Sequence, residues 1–153
     1  MTAPDITLRR YADSDEEPCI ELWRRTWTVA YPQIDFDARV VWWRERWRNE
    51  LVPAATIVVA EHGGDLAGFV TVDARTGYLD QIVVAPEAWR TNIAAMLMDE
   101  AKRISPRGIN LLVNADNARA IAFYAKQGFI KTGTDVNPTS GAPVDKMSWR
   151  PAS

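Results

Sequence analysis

The chain has one cysteine and one histidine among its 153 residues. Cys19 alone closes no intramolecular disulfide, and a lone His62 beside it makes no zinc set, so neither a disulfide framework nor a metal role is expected. Long runs of one charge are also missing. With 18 Lys and Arg against 20 Asp and Glu, the formal charge is -2 at pH 7, which excludes the basic footprint of a general nucleic-acid binder. No segment approaches the ~20 apolar residues of a membrane span, and the opening "MTAPDITLRRYADSDEEP" lacks the apolar core of a secretory signal. The expectation is a protein with no membrane partner, located in the cytoplasm. Repeats, low-complexity tracts and linkers are absent too. What is present is apolar material: 47% of residues are hydrophobic and seven are tryptophan, enough for one sizeable core, so residues 1–153 are expected to form a single domain.

Periodicity divides the chain into elements. "ITLRRY" from Ile6 reads as a strand, and Ser14 with Glu17 three residues on reads as a helix start. Ile20, Trp23, Trp27 and Tyr31 then recur at helical spacing until Pro32 interrupts them. Asp35 could cap a second helix carrying Phe36, Val40, Trp43 and Trp47 on one side and ending by Pro53. "ATIVVAEHGGDLAGFVTVDARTGYLDQIVVAP" contains three β-rich runs, with "HGGD" a hairpin signal because paired glycines supply positive φ. A helix from about Thr91 to Ser105 follows, with Ile93, Leu97, Ala101 and Ile104 as its buried stripe. "INLLV" is a strand, "NARAIAFYAKQGF" a helix capped by Asn117 and closed by Gly128, and "FIKTGTDV" and "PVDKMSWR" two last strands around the turn "NPTSGA". This order is α+β, with a mixed, mostly antiparallel seven-stranded sheet, about four helices and one locally parallel pair where strand, helix and strand follow each other.

Asn117, Ala120, Phe123, Tyr124, Gly128 and Phe129 form the pattern N-x-x-A-x-x-F-Y-x-x-x-G-F after a strand. This resembles the GNAT superfamily of acetyl-coenzyme A-dependent N-acetyltransferases, and "YLDQIVVAPE" resembles that family's central cofactor-binding strand. The resemblance implies a GNAT-like fold and transfer of acetyl from acetyl-coenzyme A to a primary amine of a small molecule or peptide. It places the proton-donating tyrosine at Tyr124; a phenol with pKa ~10 can protonate a leaving thiolate while staying neutral at pH 7. Asn117 would cap its helix and offer its amide to the pantetheine arm. Phe123 by itself reads as core, and it is counted with Asn117 among the expected cofactor-binding residues. Along the strand, Ile82, Val83 and Val84 would pair main chain with pantetheine, and the N–H near Ile82 would polarise the thioester carbonyl. Asp80 is the nearest acidic candidate for a base, or else a turn-bonding carboxylate. Many relatives have a glutamate two positions earlier, where this chain has Tyr78.

The connection "APEAWRTNIAAML" is where the chain departs from the family. The family usually has Q/R-x-x-G-x-G/A there, wrapping the pyrophosphate with backbone N–H groups. Here Trp89, Asn92 and Ala94 occupy the consensus positions. Glycine is required only where φ is positive or a side chain would collide with the ligand, and Asn92 is the residue best able to take a left-handed backbone. Arg90, Thr91, Asn92, Ile93, Ala94 and Ala95 are therefore the expected pyrophosphate cradle. Arg90 either adds charge to the phosphates or is a solvated side chain. The missing glycines keep open a second reading, a GNAT-fold binding or regulatory protein with weak or no catalysis.

On the acceptor side, Trp27, Tyr31 and Trp43 are the candidate contacts. Trp42 and Trp43 are adjacent and cannot share one helix face, so one of them should reach a pocket wall, a partner surface or an exposed patch. A homodimer through an apolar patch at Trp42 or Trp149 is an open expectation.

Overall fold

A computed structural model describes residues 6–138 and 140–151; residue 139, within the turn "NPTSGA", lies outside them. The strands are β1 (Ile6–Arg10), β2 (Thr56–His62), β3 (Asp65–Val72), β4 (Leu79–Val84), β5 (Ile109–Asn114), β6 (Ile130–Val136) and β7 (Pro143–Trp149). The helices are α1 (Glu16–Ala30), α2 (Val40–Arg46), α3 (Ile93–Ile104) and α4 (Ala118–Lys126).

The seven strands form two antiparallel sheets, in the orders β1-β2-β3-β4 and β5-β7-β6. The expected parallel pair is reduced to one bridge, Tyr78 to Asn110. Just beyond it the β3–β4 register shifts: Thr71 faces Gln81, but Val72 faces Leu79, so Asp80 is an extra residue. Such a bulge bends and twists its strand, and β4 parts from β5 there. The V-shaped gap between the two sheets is the feature that positions the site.

Alternation along the strands sorts the core into two faces. Ile57, Val59, Phe69 and Val83 pack under α1 and α2 with Trp23, Trp43 and Trp47. Val58, Val70, Val72, Leu79 and Val84 pack under α3 and α4 with Leu97, Met98 and Tyr124. The "HGGD" turn is the two-residue hairpin between β2 and β3, with φ of 60° at Gly63 and 88° at Gly64, the left-handed geometry that such a turn demands.

Two helix boundaries differ from the sequence reading. Asp15, rather than Ser14, immediately precedes α1 after a single 3-10 turn. The second helix continues past Arg46 through a π-helical turn, Trp47–Leu51, and a last turn, Val52–Ala54. Pro53 therefore lies inside its final turn, where a widened coil ahead of the ring accommodates a residue without an N–H. The Asp35 carboxylate does accept from the Ala38 amide, at 3.1 Å.

Asp15 explains the start of α1. Its carboxylate is 5% exposed as a residue and takes both Nη atoms of Arg9 at 2.7 Å and the Ala12 amide at 2.8 Å. Arg9 in turn reaches Glu61 at 2.6 Å, tying β1, β2 and α1 together. The Arg9 guanidinium, ahead of the Ala12 amide, holds the Asp15 carboxyl below its ordinary range against the opposing effect of burial. A depressed folded value means that this stabilisation is complete above the unfolded pKa of ~3.9 and is lost as pH falls through the lower folded value. Asp15→Asn is expected to cost about 1–2 kcal/mol at pH 7. The difference from wild type should shrink below about pH 4, read by urea denaturation across that window.

Candidate active site

The last turn of β4 and the first turn of α3 present main-chain groups without partners. The Ala85 amide donates to Ala67 O at 2.8 Å, so residues 85 and 83 face β3, and by alternation Ile82 and Val84 turn their N–H and C=O into the V. Among the described residues, both main-chain groups of Ile82 and the N–H of Val84 have no partner. Val83 differs: its main chain belongs to the ladder with Phe69 and its side chain is core.

The connection to α3 runs through a 3-10 turn, Pro86–Ala88, braced by Ala88 N to Ala85 O at 2.8 Å and Thr91 N to Ala88 O at 3.2 Å. Glu87 takes Arg25 of α1 at 2.6 Å, pinning the loop to that helix. The Thr91 hydroxyl donates to Ala88 O at 2.6 Å and accepts from the Ile93 amide at 3.3 Å, while the Ile93 side chain is buried. The amides of Arg90, Asn92, Ala94 and Ala95 have no acceptor among the described residues, as expected for a helix N-terminus. Among the described residues no non-glycine has a positive φ; Asn92 sits at φ -90°. The left-handed backbone expected of Asn92 is thus not used, and that is why the loop closes without glycine. Free amides at a helix start, a small side chain at Ala94 and an exposed Arg90 fit a diphosphate.

Trp89 is the obstruction. Its indole N–H donates to Val84 O at 2.8 Å, taking one of the acceptors that faces the V. Over its ring lies the Arg119 guanidinium of α4, 3.8 Å from the centroid, within the range of a cation–π contact. Arg119 has no carboxylate partner among the described residues. Desolvation pulls its pKa down, partly offset by the facing hydroxyls of Tyr124 and Tyr31. Sequence reasoning missed this residue, although it sits two positions after the Asn117 cap.

Tyr124 enters the site from α4. It is 8% exposed, ringed by Phe123 at 5.6 Å and Phe129 at 5.7 Å, and its hydroxyl makes no hydrogen bond among the described residues. Burial lifts the phenol above its ordinary pKa, with Arg119 acting in the opposite direction. Asn117 caps α4 through its side-chain oxygen, which accepts from Ala120 N at 3.2 Å, and its amide donors have no acceptor among the described residues.

Asp80 is not the free carboxylate expected of a base. Arg46 engages both of its oxygens, and Gln81 Nε2 donates to Oδ1 at 3.2 Å. The two-pronged ion pair lies on a side chain only 10% exposed. The bulge turns Asp80 towards α2 and produces this pairing.

The aromatic candidates separate. Trp43 is 1% exposed and stacks on Trp23 at 4.7 Å, so its indole offers no surface to an acceptor and is core. Trp42, its neighbour, is 42% exposed. Trp27 stacks on Tyr31 at 5.7 Å. The Tyr31 hydroxyl donates to Asp116 at 2.8 Å and accepts from Asn114 Nδ2 at 3.3 Å, which joins the end of α1 to the β5–α4 loop across the mouth of the V. Trp149, expected as a surface patch, is half-buried with Lys102 Nζ 5.0 Å from its ring centroid. Trp43→Phe is expected to lower stability by about 1–2 kcal/mol with KM for the acceptor unchanged; a raised KM at constant stability would return this residue to the site.

A four-stranded and a three-stranded sheet parted at a bulge, with unpaired main chain on one arm and a free helix N-terminus above it, define a GNAT-type acyltransferase scaffold. The profile of the Acetyltransferase (GNAT) family matches residues 17–129, and the chain belongs to that family. The peptidyl-lysine N-acetyltransferase YjaB of Salmonella typhimurium is 27% identical over 144 residues, covering 94% of this chain and 96% of that protein. Its namesake from Escherichia coli is 24% identical, with 94% and 95% covered. The PaiA N-acetyltransferase of Thermoplasma acidophilum, solved in complex with coenzyme A, superposes with a TM-score of 0.80 at 23% identity over 96% of this chain and 99% of that one. Among the described residues no group of His, Cys, Asp and Glu could hold a metal ion, and no helix is long and apolar enough to cross a membrane.

Proposed function

We propose that the protein, acting as one domain, transfers the acetyl group of acetyl-coenzyme A to the side-chain amine of a peptide lysine. The observation that carries this reading is the set of free main-chain groups, both of Ile82 and the N–H of Val84 on β4 and the amides of Arg90, Asn92, Ala94 and Ala95 at the start of α3. The lysine acceptor is supported by two relatives of nearly the same length, both named as peptidyl-lysine N-acetyltransferases.

When bound, acetyl-coenzyme A supplies an activated thioester. Ile82 and Val84 offer the strand edge that would hold its pantetheine arm, and the amides of Arg90, Asn92, Ala94 and Ala95 would hold its phosphates with Arg90 adding charge. The Ile82 N–H polarises the carbonyl as an oxyanion donor. The neutral amine attacks directly, and Tyr124 gives its proton to the departing sulfur. Asp80 stays paired with Arg46 and water takes the proton of the amine. Trp27 and Tyr31 line the mouth through which the acceptor arrives.

A raised phenol pKa has a pH consequence. A proton donor is active only while protonated, so activity would fall as pH rises through its folded pKa, above ~10 for Tyr124. The profile of kcat is therefore expected to show an acidic limb and no basic limb below about pH 10. A basic limb near neutrality would remove Tyr124 from this role.

The deciding experiment is mass spectrometry of lysine peptides and of free polyamines incubated with acetyl-coenzyme A. Acetylated peptide lysine supports the proposal; acetylation of polyamines alone moves the acceptor to small amines. The Trp89 indole on Val84 O favours one rival, a GNAT-fold binding protein without transfer. Stabilisation by coenzyme A with no acetylated amine in either panel would select it.

A further inference from the structure

At the end of β4 opposite the α3 N-terminus lies a cleft of about 350 Å³. It is built by two turns, the β3–β4 turn with Arg75 and Thr76 and the α3–β5 turn with Arg107, together with Asn110 of β5 and Arg150 after β7. Three arginines therefore line one cleft in a chain of net negative charge. Arg75 has Asp73 at 3.5 Å. Arg107 and Arg150 have no carboxylate partner among the described residues.

Arg150 is placed by the backbone rather than left to solvent. Its Nη1 donates to Trp149 O at 2.9 Å and its Nη2 to Asn110 Oδ1 at 3.2 Å. It lies across Gly108, where φ is +148° and an added Cβ would come within 2.5 Å of Nη1. A glycine is thus needed for the guanidinium to occupy this position. Asn110 Oδ1 also accepts from Ser148 Oγ at 2.9 Å, and the Asn110 amide donors have no acceptor among the described residues. Thr76 Oγ1 accepts from the Tyr78 amide at 3.2 Å, so its own hydrogen is free. The cleft is rich in donors and short of acceptors.

We infer that this cleft is a second ligand site, for the phosphate group of a small phosphorylated molecule. Guanidinium forks and amide donors match phosphate oxygens. The volume lies at the low end of small-molecule sites, suiting a phosphate ester of a few carbons rather than a nucleotide. The site spans the Tyr78–Asn110 bridge, the contact from which the two sheets diverge, and Asn110 N donates to Gly77 O there at 2.9 Å. A dianion held between Arg75 on one sheet's turn and Arg107 and Arg150 on the other sheet braces the base of the V. The inference is independent of whether transfer occurs.

The test is calorimetric titration of the full chain with inorganic phosphate and with glycerol 3-phosphate at constant ionic strength, with amide NMR shifts as the locator. Shifts at Gly77, Gly108 and Asn110 are expected, with the ester binding at least as tightly as phosphate. Arg107→Ala, which removes a side chain with no hydrogen bond or ion pair among the described residues, should weaken binding about tenfold, whereas Arg90→Ala should leave it unchanged. Saturating coenzyme A should not displace the ester. Shifts reproduced by sodium chloride alone, exclusion of the ester, insensitivity to Arg107→Ala, or displacement by coenzyme A would each overturn the site. Displacement would assign the phosphate to the α3 loop, and a failure of coenzyme A to bind at all would count against the proposed transfer reaction and not against this cleft.

Discussion

Tyr124→Phe is expected to lower kcat for acetyl transfer about 100-fold, the low end of what a positioned proton donor contributes, while the Kd for acetyl-coenzyme A changes less than about twofold. The separation follows from the surroundings of Tyr124. Its ring is packed against Phe123 and Phe129, and phenylalanine keeps those contacts. Its hydroxyl has no partner among the described residues, so deleting the oxygen leaves no buried group unsatisfied and should cost little stability. On the proposed mechanism, what disappears is the proton given to sulfur when the carbon–sulfur bond breaks. Equal kcat for the variant and wild type would assign thiolate protonation to water. A loss in Kd matching the loss in kcat would make the residue a binding contact.

Arg119 gives that result a second reading. Its charge faces Tyr124 and works against the rise that burial imposes on the phenol. Exchange to Met removes this opposing effect, so a buried donor becomes a weaker acid still. The sequence showed Arg119 only as a polar position on a short helix. Its contact with Trp89 joins residues 30 positions apart, a relation that neither periodicity nor spacing encodes.

Other parts of the structure were legible because they rest on local rules. The Asn117 cap, the Gly63–Gly64 hairpin, the separation of Trp42 from Trp43 and the helical stripe of Leu97 and Ala101 each follow from backbone geometry within a few residues. The order of elements gave the α+β class, and the N-x-x-A-x-x-F-Y pattern gave the family. Most departures from the sequence reading are long-range, and the backbone at Asn92 is a local one. Asp80 looked available because its partner Arg46 lies on α2, 34 residues away. Trp43 looked like an acceptor contact because its stacking on Trp23 crosses two helices. The division into two sheets depends on one bulge, which shifts register by a residue and leaves no mark in composition. Asn92 was assigned a left-handed backbone by analogy with glycine, yet the chain reaches the start of α3 through a 3-10 turn that needs none.

That last point makes the cradle testable without disturbing the fold. Ala94→Asp places a carboxylate in the first turn of α3, where the exposed N–H groups and the helix dipole favour a negative side chain. Stability should therefore hold or rise slightly, by about 0.3–1 kcal/mol. The same charge stands where the diphosphate would receive the Ala94 and Ala95 amides. Repulsion between like charges at this distance, together with competition for those donors, is expected to weaken acetyl-coenzyme A by about 100-fold or more. Ala94→Ser, similar in size and neutral, should stay within about threefold of wild type. Trp89→Phe supplies the complementary case, since it keeps an aromatic face for Arg119 but releases Val84 O, and one freed acceptor should tighten binding by about two- to tenfold. Calorimetry on the three variants separates the contributions: charge at the helix start, volume beside it, and the indole bond at the strand edge. Unaltered affinity in Ala94→Asp would mean that the phosphates lie elsewhere, and the amides of this turn would then have no ligand to explain them.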